Sequence, residues 1–469
     1  MAHSTKESLV CQLQCEGKTL ESSPGLPFRD LLSETRILRA LERAQVTFRE
    51  RIYSPTVTIY AALSQVVSGK FSSCRDAVSQ VIADRVARKE KPCSPDTSSY
   101  CTARARLPEQ VLAELTQEIG QELHRQAPPE WLWNGRRVSL ADGSTATMDD
   151  SEANQAEYPQ SKNQKKGLGF PILRFVVLFS LATGTALECA VGSCRGKMTG
   201  EQSLFRQLGA ALKPGDILLA DRLYDCFRDI VGLKSRGIDV VFGMKHSRRC
   251  DFRRGRRLGP GDHVVTWKKP RYDASRYDSR AQWEALPEQI EMREVRVIVR
   301  RPGHRTRTIA VVTTLLDAQQ YTANDLTDLF AQRWHCELDL RSIKRALGMH
   351  HLSARSPQMV RKLLWLHLLA YNLVRVRMAQ AASLHGQTPR RLSFTAATKL
   401  IHYFAPHLSL SKGAEHRRLE AELLAAIAES TLDHRPGRQE PRAVKKRVQK
   451  YSYLTKPRSQ TQTPKRLTP

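Results

Sequence analysis

Three acidic residues far apart in the chain, Asp142, Asp221 and Glu337, have the types and settings to do chemistry together. Val138–Ala141 reads as a short strand that stops at Asp142-Gly143, and Ile217–Ala220 as a buried strand running into Asp221. Glu337 falls on a helix expected to start near Thr322 and run to about Leu347. Hard divalent cations such as Mg²⁺, with Mn²⁺ as a substitute, take oxygen ligands, and three carboxylates can hold two of them a few ångströms apart. Such a pair activates an attacking oxygen and stabilises the leaving oxygen of a phosphodiester. The late helix supplies a second signal. Phe330, Arg333, Glu337 and Lys344 fall within roughly 60° of one another at about 100° per residue, so they share one face. Leu329, Cys336, Leu340 and Ile343 form a separate apolar stripe suited to packing on a sheet. Two cations flanking a glutamate beside a metal site can hold a phosphate backbone next to the chemistry, and Arg222 beside Asp221 is a further candidate.

These residues need elements to bring them together. From Arg137 the pattern reads strand, strand, strand, helix, strand, helix, strand, with Thr183-Gly184 as a hairpin turn. In a mixed sheet of that order the first and fourth strands can lie side by side, which would put Asp142 and Asp221 at one edge. Residues 28–130 read as a helical, basic N-terminal domain punctuated by prolines, following a polar tail over 1–27. Residues 131–244 form the first part of the α/β core. Residues 245–314 lose the helical pattern and read as a β-rich insertion, whose first loop, Lys245 to Arg257, carries seven Lys or Arg in thirteen residues. The core resumes over 315–380, a C-terminal helical region follows over 381–435, and the tail over 436–469 reads as disordered, with ten Lys or Arg from Pro436 onward against the single acid Glu440.

Composition narrows the function class. Lys plus Arg number 75 against 47 for Asp plus Glu, a formal charge of +28 over 469 residues, which points to a polyanionic partner. No membrane span is expected: the most apolar stretch, Ile172 to Val191, carries Arg174 and Glu188 and is broken by Gly184. The N-terminus lacks a basic-then-apolar signal, so a cytoplasmic, nucleoid-associated protein with reduced thiols is expected. Cys11, Cys15, Cys93 and Cys101 have no convincing zinc spacing, and Cys336, on the apolar stripe, reads as structural.

The segments Leu140-Ala-Asp-Gly-Ser-Thr145, Leu218-Leu-Ala-Asp-Arg-Leu-Tyr224 and Phe330-x2-Arg333-x3-Glu337-x6-Lys344 resemble the three catalytic segments of bacterial transposases of the insertion sequence 4 family. The likeness extends to Phe48-Arg-Glu-Arg51, Ser73-Cys-Arg-Asp-Ala-Val78 and Tyr100 to Pro108, and covers roughly residues 28–380. It implies an RNase H-like catalytic core with a β-rich insertion, a helical N-terminal domain that binds DNA, and a helical C-terminal region. It implies Asp142, Asp221 and Glu337 as catalytic metal ligands, and Arg333 and Lys344 as phosphate contacts. Phe330 stands where the family signature has tyrosine, which removes a hydroxyl contact to DNA and leaves the ring. In related transposases a tryptophan of the insertion stacks on a flipped base, which makes Trp267 and Trp283 candidates here. The implied reaction is cut-and-paste transposition: hydrolysis at each end of the element, a hairpin, its opening, and joining of the 3′-hydroxyls to target DNA. The implied partners are double-stranded DNA, with terminal inverted repeats bound, and a second copy in a homodimer.

Bland readings compete. A lone aspartate at a strand end is usually a turn former, and motif register is what singles out Asp142, Asp221 and Glu337 from Asp149, Asp150, Asp225 and Asp339. Asp225 and Asp339 are expected to make caps or surface ion pairs. Two other functions fit the charge: a DNA-binding protein that has lost catalysis, which the intact acidic triad argues against, and a metal-dependent nuclease without joining activity.

Overall fold

The computed structural model of the chain describes residues 28–29, 31–68, 73–273, 279–299, 307–432, 453–457 and 460. The tail over 1–27, with Cys11 and Cys15, and all of the basic tail except 453–457 and 460 lie outside the described residues.

Alternating and continuous runs of Val, Ile, Leu and Phe build one mixed sheet. Its strands are β1 (Val138–Met148), β2 (Ile172–Ser180), β3 (Ala186–Ser193), β4 (Ile217–Ala220), β5 (Asp239–Gly243), β6 (Arg256–Gly259), β7 (Asp262–Lys268), β8 (Gln289–Val299), β9 (Arg307–Thr313) and β10 (His351–Leu352). They are ordered β3-β2-β1-β4-β5-β9-β8-β7-β6, with β10 beside the far end of β1. The first three strands pair antiparallel, whereas β4 and β5 run parallel to β1. The β-rich segment therefore does not stand apart: β9 pairs antiparallel with β5 and carries β8, β7 and β6 outward on the same sheet.

β1 corrects the reading that a strand ends at Asp142. It continues for six residues beyond that aspartate to Met148. The reason is that it has two partners of different length. Pairing with β4 stops at Ala141↔Ala220, whereas pairing with β2 persists to Thr147↔Ile172. Asp142 thus sits in mid-strand, at the point where its β4 neighbour turns away.

Two apolar cores cover the two faces of the sheet. On one, Val138, Leu140, Ala146 and Met148 pack with the helix Pro357–Leu384 and with Cys336, Leu340 and Ile343. On the other, Ala141, Leu218 and Ala220 pack with Leu204, Phe205, Phe227 and Ile230 from the helices Glu201–Gln207 and Phe227–Lys234. The N-terminal helices Glu34–Arg43, Pro55–Val67, Cys74–Ala87, Ser98–Arg106 and Glu109–Gln126 lie against this body, the last packing on β3 and on Pro357–Leu384. Gly120 permits that approach, because a Cβ there would stand 2.1 Å from the Ala186 carbonyl oxygen. Helices Phe394–Leu410 and Gly413–Glu429 complete the C-terminal side. Among the described residues no helix is long and apolar enough to cross a membrane.

The expected long helix starts where its capping box dictates, with Thr322 and Asp325 satisfying each other's backbone N–H groups. It is not uniform. Ala323–Gln332 gives way at Arg333 to Trp334–Arg341, which ends in a wider π turn over Ser342–Ala346.

Candidate active site

Strand register assembles the acidic pair. β1 and β4 run side by side to Ala141↔Ala220, so Asp142 and Asp221 are the next residue on each strand. Side chains alternate across a sheet, and Asp142 shares the face of Leu140 and Ala146. That is the face on which the helix Trp334–Arg341 lies, through Cys336 and Leu340. The helix that carries Glu337 therefore covers the sheet face that bears Asp142.

Each carboxylate is oriented locally. Asp142 accepts the Gly143 backbone N–H at 2.9 Å, and Asp221 accepts that of Leu223 at 2.7 Å, capping the short helical turn Arg222–Tyr224. Glu337 pairs with Arg333 one turn earlier at 3.0 Å. Burial raises the Asp142 carboxyl to about 6; the Gly143 N–H opposes the shift, the neighbouring Asp221 charge adds to it, and Arg333 opposes it again. Arg333 therefore acts on both Asp142 and Glu337. Lys344 reaches the opposite strand and donates to Ser144 Oγ at 3.1 Å, two residues beyond Asp142 on the same face. The π turn carrying Lys344 supports this reach.

Sequence reasoning missed one acid. Glu201, at the start of the helix Glu201–Gln207, abuts Gly143 so closely that a Cβ on that glycine would fall 2.6 Å from the Glu201 carboxyl carbon. Its carboxyl is raised, chiefly by burial and also by Asp221, and it adds in turn to the rise at Asp142. Nothing in the spacing around Glu201 marks it, but the glycine after Asp142 was the available clue.

Other expectations are corrected. Phe330 is only 8% exposed and packs against Gly243 of β5, so its ring belongs to the core and offers no free face for DNA. Trp267 is also buried: its N–H donates to Glu294 at 2.9 Å, and the Arg248 guanidinium lies 3.5 Å from the ring centroid. Its faces are taken up inside the protein. Trp283 is half-buried, its N–H bound to the Pro270 carbonyl at 2.8 Å and the Lys269 ammonium 4.2 Å from its ring centroid, and it alone of the two retains solvent-facing surface. Arg222 is exposed beside Asp221 and contacts His246 of the basic loop.

Asp225 does accept local bonds, from Lys245 N–H at 3.0 Å and Arg248 at 3.5 Å, but it is buried. Asp339 is no surface pair either: fully buried, it binds Arg375 at 2.5 Å and Arg390 at 2.7 Å. Arg390 also donates to the carbonyls of Ser180 and Leu181, each at 2.6 Å, and Tyr371, bonded to Arg375, donates to Gly184 in the β2–β3 turn. This cluster bolts the helix bearing Glu337 to the sheet and to the helix Pro357–Leu384. Cys336 is fully buried, and its thiol is pushed well up by burial, as befits a packing residue.

The oxygen-only donor set suits hard divalent cations, and the Asp142 carboxyl, raised chiefly by burial and further by the Asp221 charge, is one whose ionised form a dication would favour. A family profile described as "Transposase DDE domain" matches residues 133–373. The curated protein "Transposase InsG for insertion sequence element IS4" of Escherichia coli (strain K12) is 26% identical over 360 residues, 76% of this chain and 77% of that protein. The piggyBac transposase in a synaptic complex with hairpin DNA, solved by cryo-EM, aligns over 87% of this chain and 88% of its own at 9% identity, with a TM-score of 0.43, too loose a likeness to argue from.

Proposed function

The chain belongs to the DDE transposases, DNA-cleaving and strand-transferring enzymes, and from that premise we propose that it moves an insertion sequence of the IS4 type by cut-and-paste transposition. The observation that carries this reading is the β1–β4 register: it makes Asp142 and Asp221 neighbours on the face covered by the helix of Glu337. The order β3-β2-β1-β4-β5, antiparallel then parallel, supports an RNase H-like core under that site.

Asp142, Asp221 and Glu337 would hold the divalent ions, Mg²⁺ or Mn²⁺. That pair would supply activation of the attacking oxygen and stabilisation of the leaving oxygen at phosphorus. The rest falls to the protein. Arg333, now tied to Glu337, and Lys344, beside Ser144, orient phosphates around the scissile bond. Arg222 adds a cation on the open side. Residues 28–130 take terminal inverted repeats, a role supported by a groove whose lining includes Phe48, Arg49, Arg51 and Arg106. Trp283 is the better placed of the two tryptophans to meet an unstacked base. Two DNA ends require two such sites, hence a homodimer on DNA in the nucleoid.

The test is cleavage and joining on a supercoiled plasmid bearing the element's ends. Wild-type protein with Mg²⁺ should cut, and should join pre-cleaved 3′-hydroxyl ends to a second plasmid, whereas Asp142→Ala and Glu337→Gln proteins should do neither. Cutting without joining would identify a nuclease, and binding without either would identify a protein that has lost its chemistry.

A further inference from the structure

Away from the acidic triad, three side chains with nothing to do in DNA cleavage converge on the outer part of the sheet. His263 on β7 and Glu294 on β8 are direct cross-strand partners, and Cys250 comes from the basic loop before β6. His263 Nε2 lies 3.0 Å from Glu294 Oε2 and 3.8 Å from Cys250 Sγ. One donor atom from each residue lies within 4.8 Å of the others. We infer that Cys250, His263 and Glu294 form a zinc site that fastens the basic loop to the sheet.

The surrounding hydrogen bonds favour a cation here. His263 Nδ1 sits 2.7 Å from the Arg254 carbonyl oxygen, which can only accept, so Nδ1 carries its hydrogen. Nε2 is then turned toward a Glu294 carboxylate oxygen, an arrangement that calls for a proton or a metal cation between the two. The other carboxylate oxygen, Oε1, is already occupied by the Trp267 N–H at 2.9 Å. His263 and Glu294 thus each have the second polar atom fixed from behind, the outer-shell pattern that orients metal-binding histidines and carboxylates. His263 is 1% exposed and Glu294 4%, while Cys250 is half-buried and offers the way in. Sulfur, imidazole nitrogen and carboxylate together suit a borderline cation such as Zn²⁺, in contrast to the oxygen-only set at the triad. On binding, the Cys250 thiol would give its proton to solvent as the S–Zn bond forms.

The consequence is positional. Cys250 lies within the cationic loop Lys245 to Arg257. At its other end this loop is held by Asp225, and His246 meets Arg222 next to Asp221. A metal at Cys250 would fix the stretch of cations that leads away from the catalytic centre.

The experiment uses the full chain with millimolar Mg²⁺ present, so that the oxygen site is filled. Zinc content is measured on purified protein, and Co²⁺ is then exchanged in and followed by absorption. The expected result is about one zinc per chain and a thiolate-to-cobalt charge-transfer band, with Cys250→Ser losing the band and His263→Ala losing most of the bound metal. The loss of affinity should exceed the ~10–100-fold that follows removal of an outer-shell partner. Stripping the zinc should speed tryptic cleavage after Arg248, Arg249, Arg253 and Arg254. Circular dichroism verifies that each variant is folded. Absence of both zinc and the band, or a band that survives in Cys250→Ser, would overturn the proposal and leave a proton between His263 and Glu294.

Discussion

Replacing Asp142 by Asn should make the metal-free protein more stable while abolishing its chemistry. A carboxyl moved from its ordinary 3.8 to about 6 is held in a fold that prefers it neutral. That preference is a stability contribution present below the unfolded value and lost as pH rises through the folded one. Over this interval it amounts to ~3 kcal/mol if undiminished by solvent. Asp142 keeps some contact with water, so ~1–3 kcal/mol is the working range. Asn is neutral at every pH and avoids the loss. In EDTA at pH 7.5 the Asp142→Asn protein should therefore unfold at higher urea than the parent, and by about half that margin at pH 5, where the parent carboxyl is mostly protonated. Adding Mg²⁺ should reverse the ranking, because an ion that binds only the folded parent stabilises it alone. A variant no more stable than the parent at pH 7.5 in EDTA, or a margin that does not shrink toward pH 5, would refute the idea that burying this ionised carboxyl strains the site.

Further outcomes follow from the same geometry. Glu337→Gln should eliminate plasmid cleavage yet shift the urea midpoint by less than the equivalent of ~1 kcal/mol, since its pair with Arg333 is partly exposed. Asp339→Asn should cost ~3–5 kcal/mol in the same unfolding assay, because it leaves Arg375 and Arg390 buried beside an uncharged group. Glu201→Gln removes one of the charges that raise Asp142, so the pH at which Mg²⁺ binding is half-maximal should move down, read by titration calorimetry. Gly120→Ala should cost about 1–3 kcal/mol or more, because its Cβ would collide with the Ala186 carbonyl, again read by urea unfolding.

Much of this arrangement could be read before any coordinates. Ile217–Ala220 was legible in full because a continuous apolar run bounded by Gly215 and Asp221 has few other readings. The apolar stripe Leu329, Cys336, Leu340 and Ile343 is buried as its spacing implied. β1 was cut short because Asp-Gly usually turns a chain; here the pairing with β2 outlasts the local preference. β6, Arg256–Gly259, carries no apolar alternation and exists because β7 offers it a ladder. The fates of Trp267 and Phe330 could not be read from residue type, since an aromatic suited to stacking on a base is equally suited to a core. Glu201 and the Cys250, His263 and Glu294 group depend on contacts between distant segments, which local spacing does not encode.

The unbroken ladder from β4 to β6 also makes the sheet a ruler. Five strand-to-strand steps separate the strand that delivers Asp221 from the outermost strand. At ~4.8 Å per step they span about 24 Å before twist shortens them. Duplex DNA rises 3.4 Å per base pair, so a contact at the outer edge would fall roughly seven base pairs from the bond being cut. Because neighbouring strands share hydrogen bonds, that interval cannot be altered by flexing a linker. It changes only by adding or removing a strand, so relatives with longer or shorter insertions should grip the element's end at correspondingly different offsets.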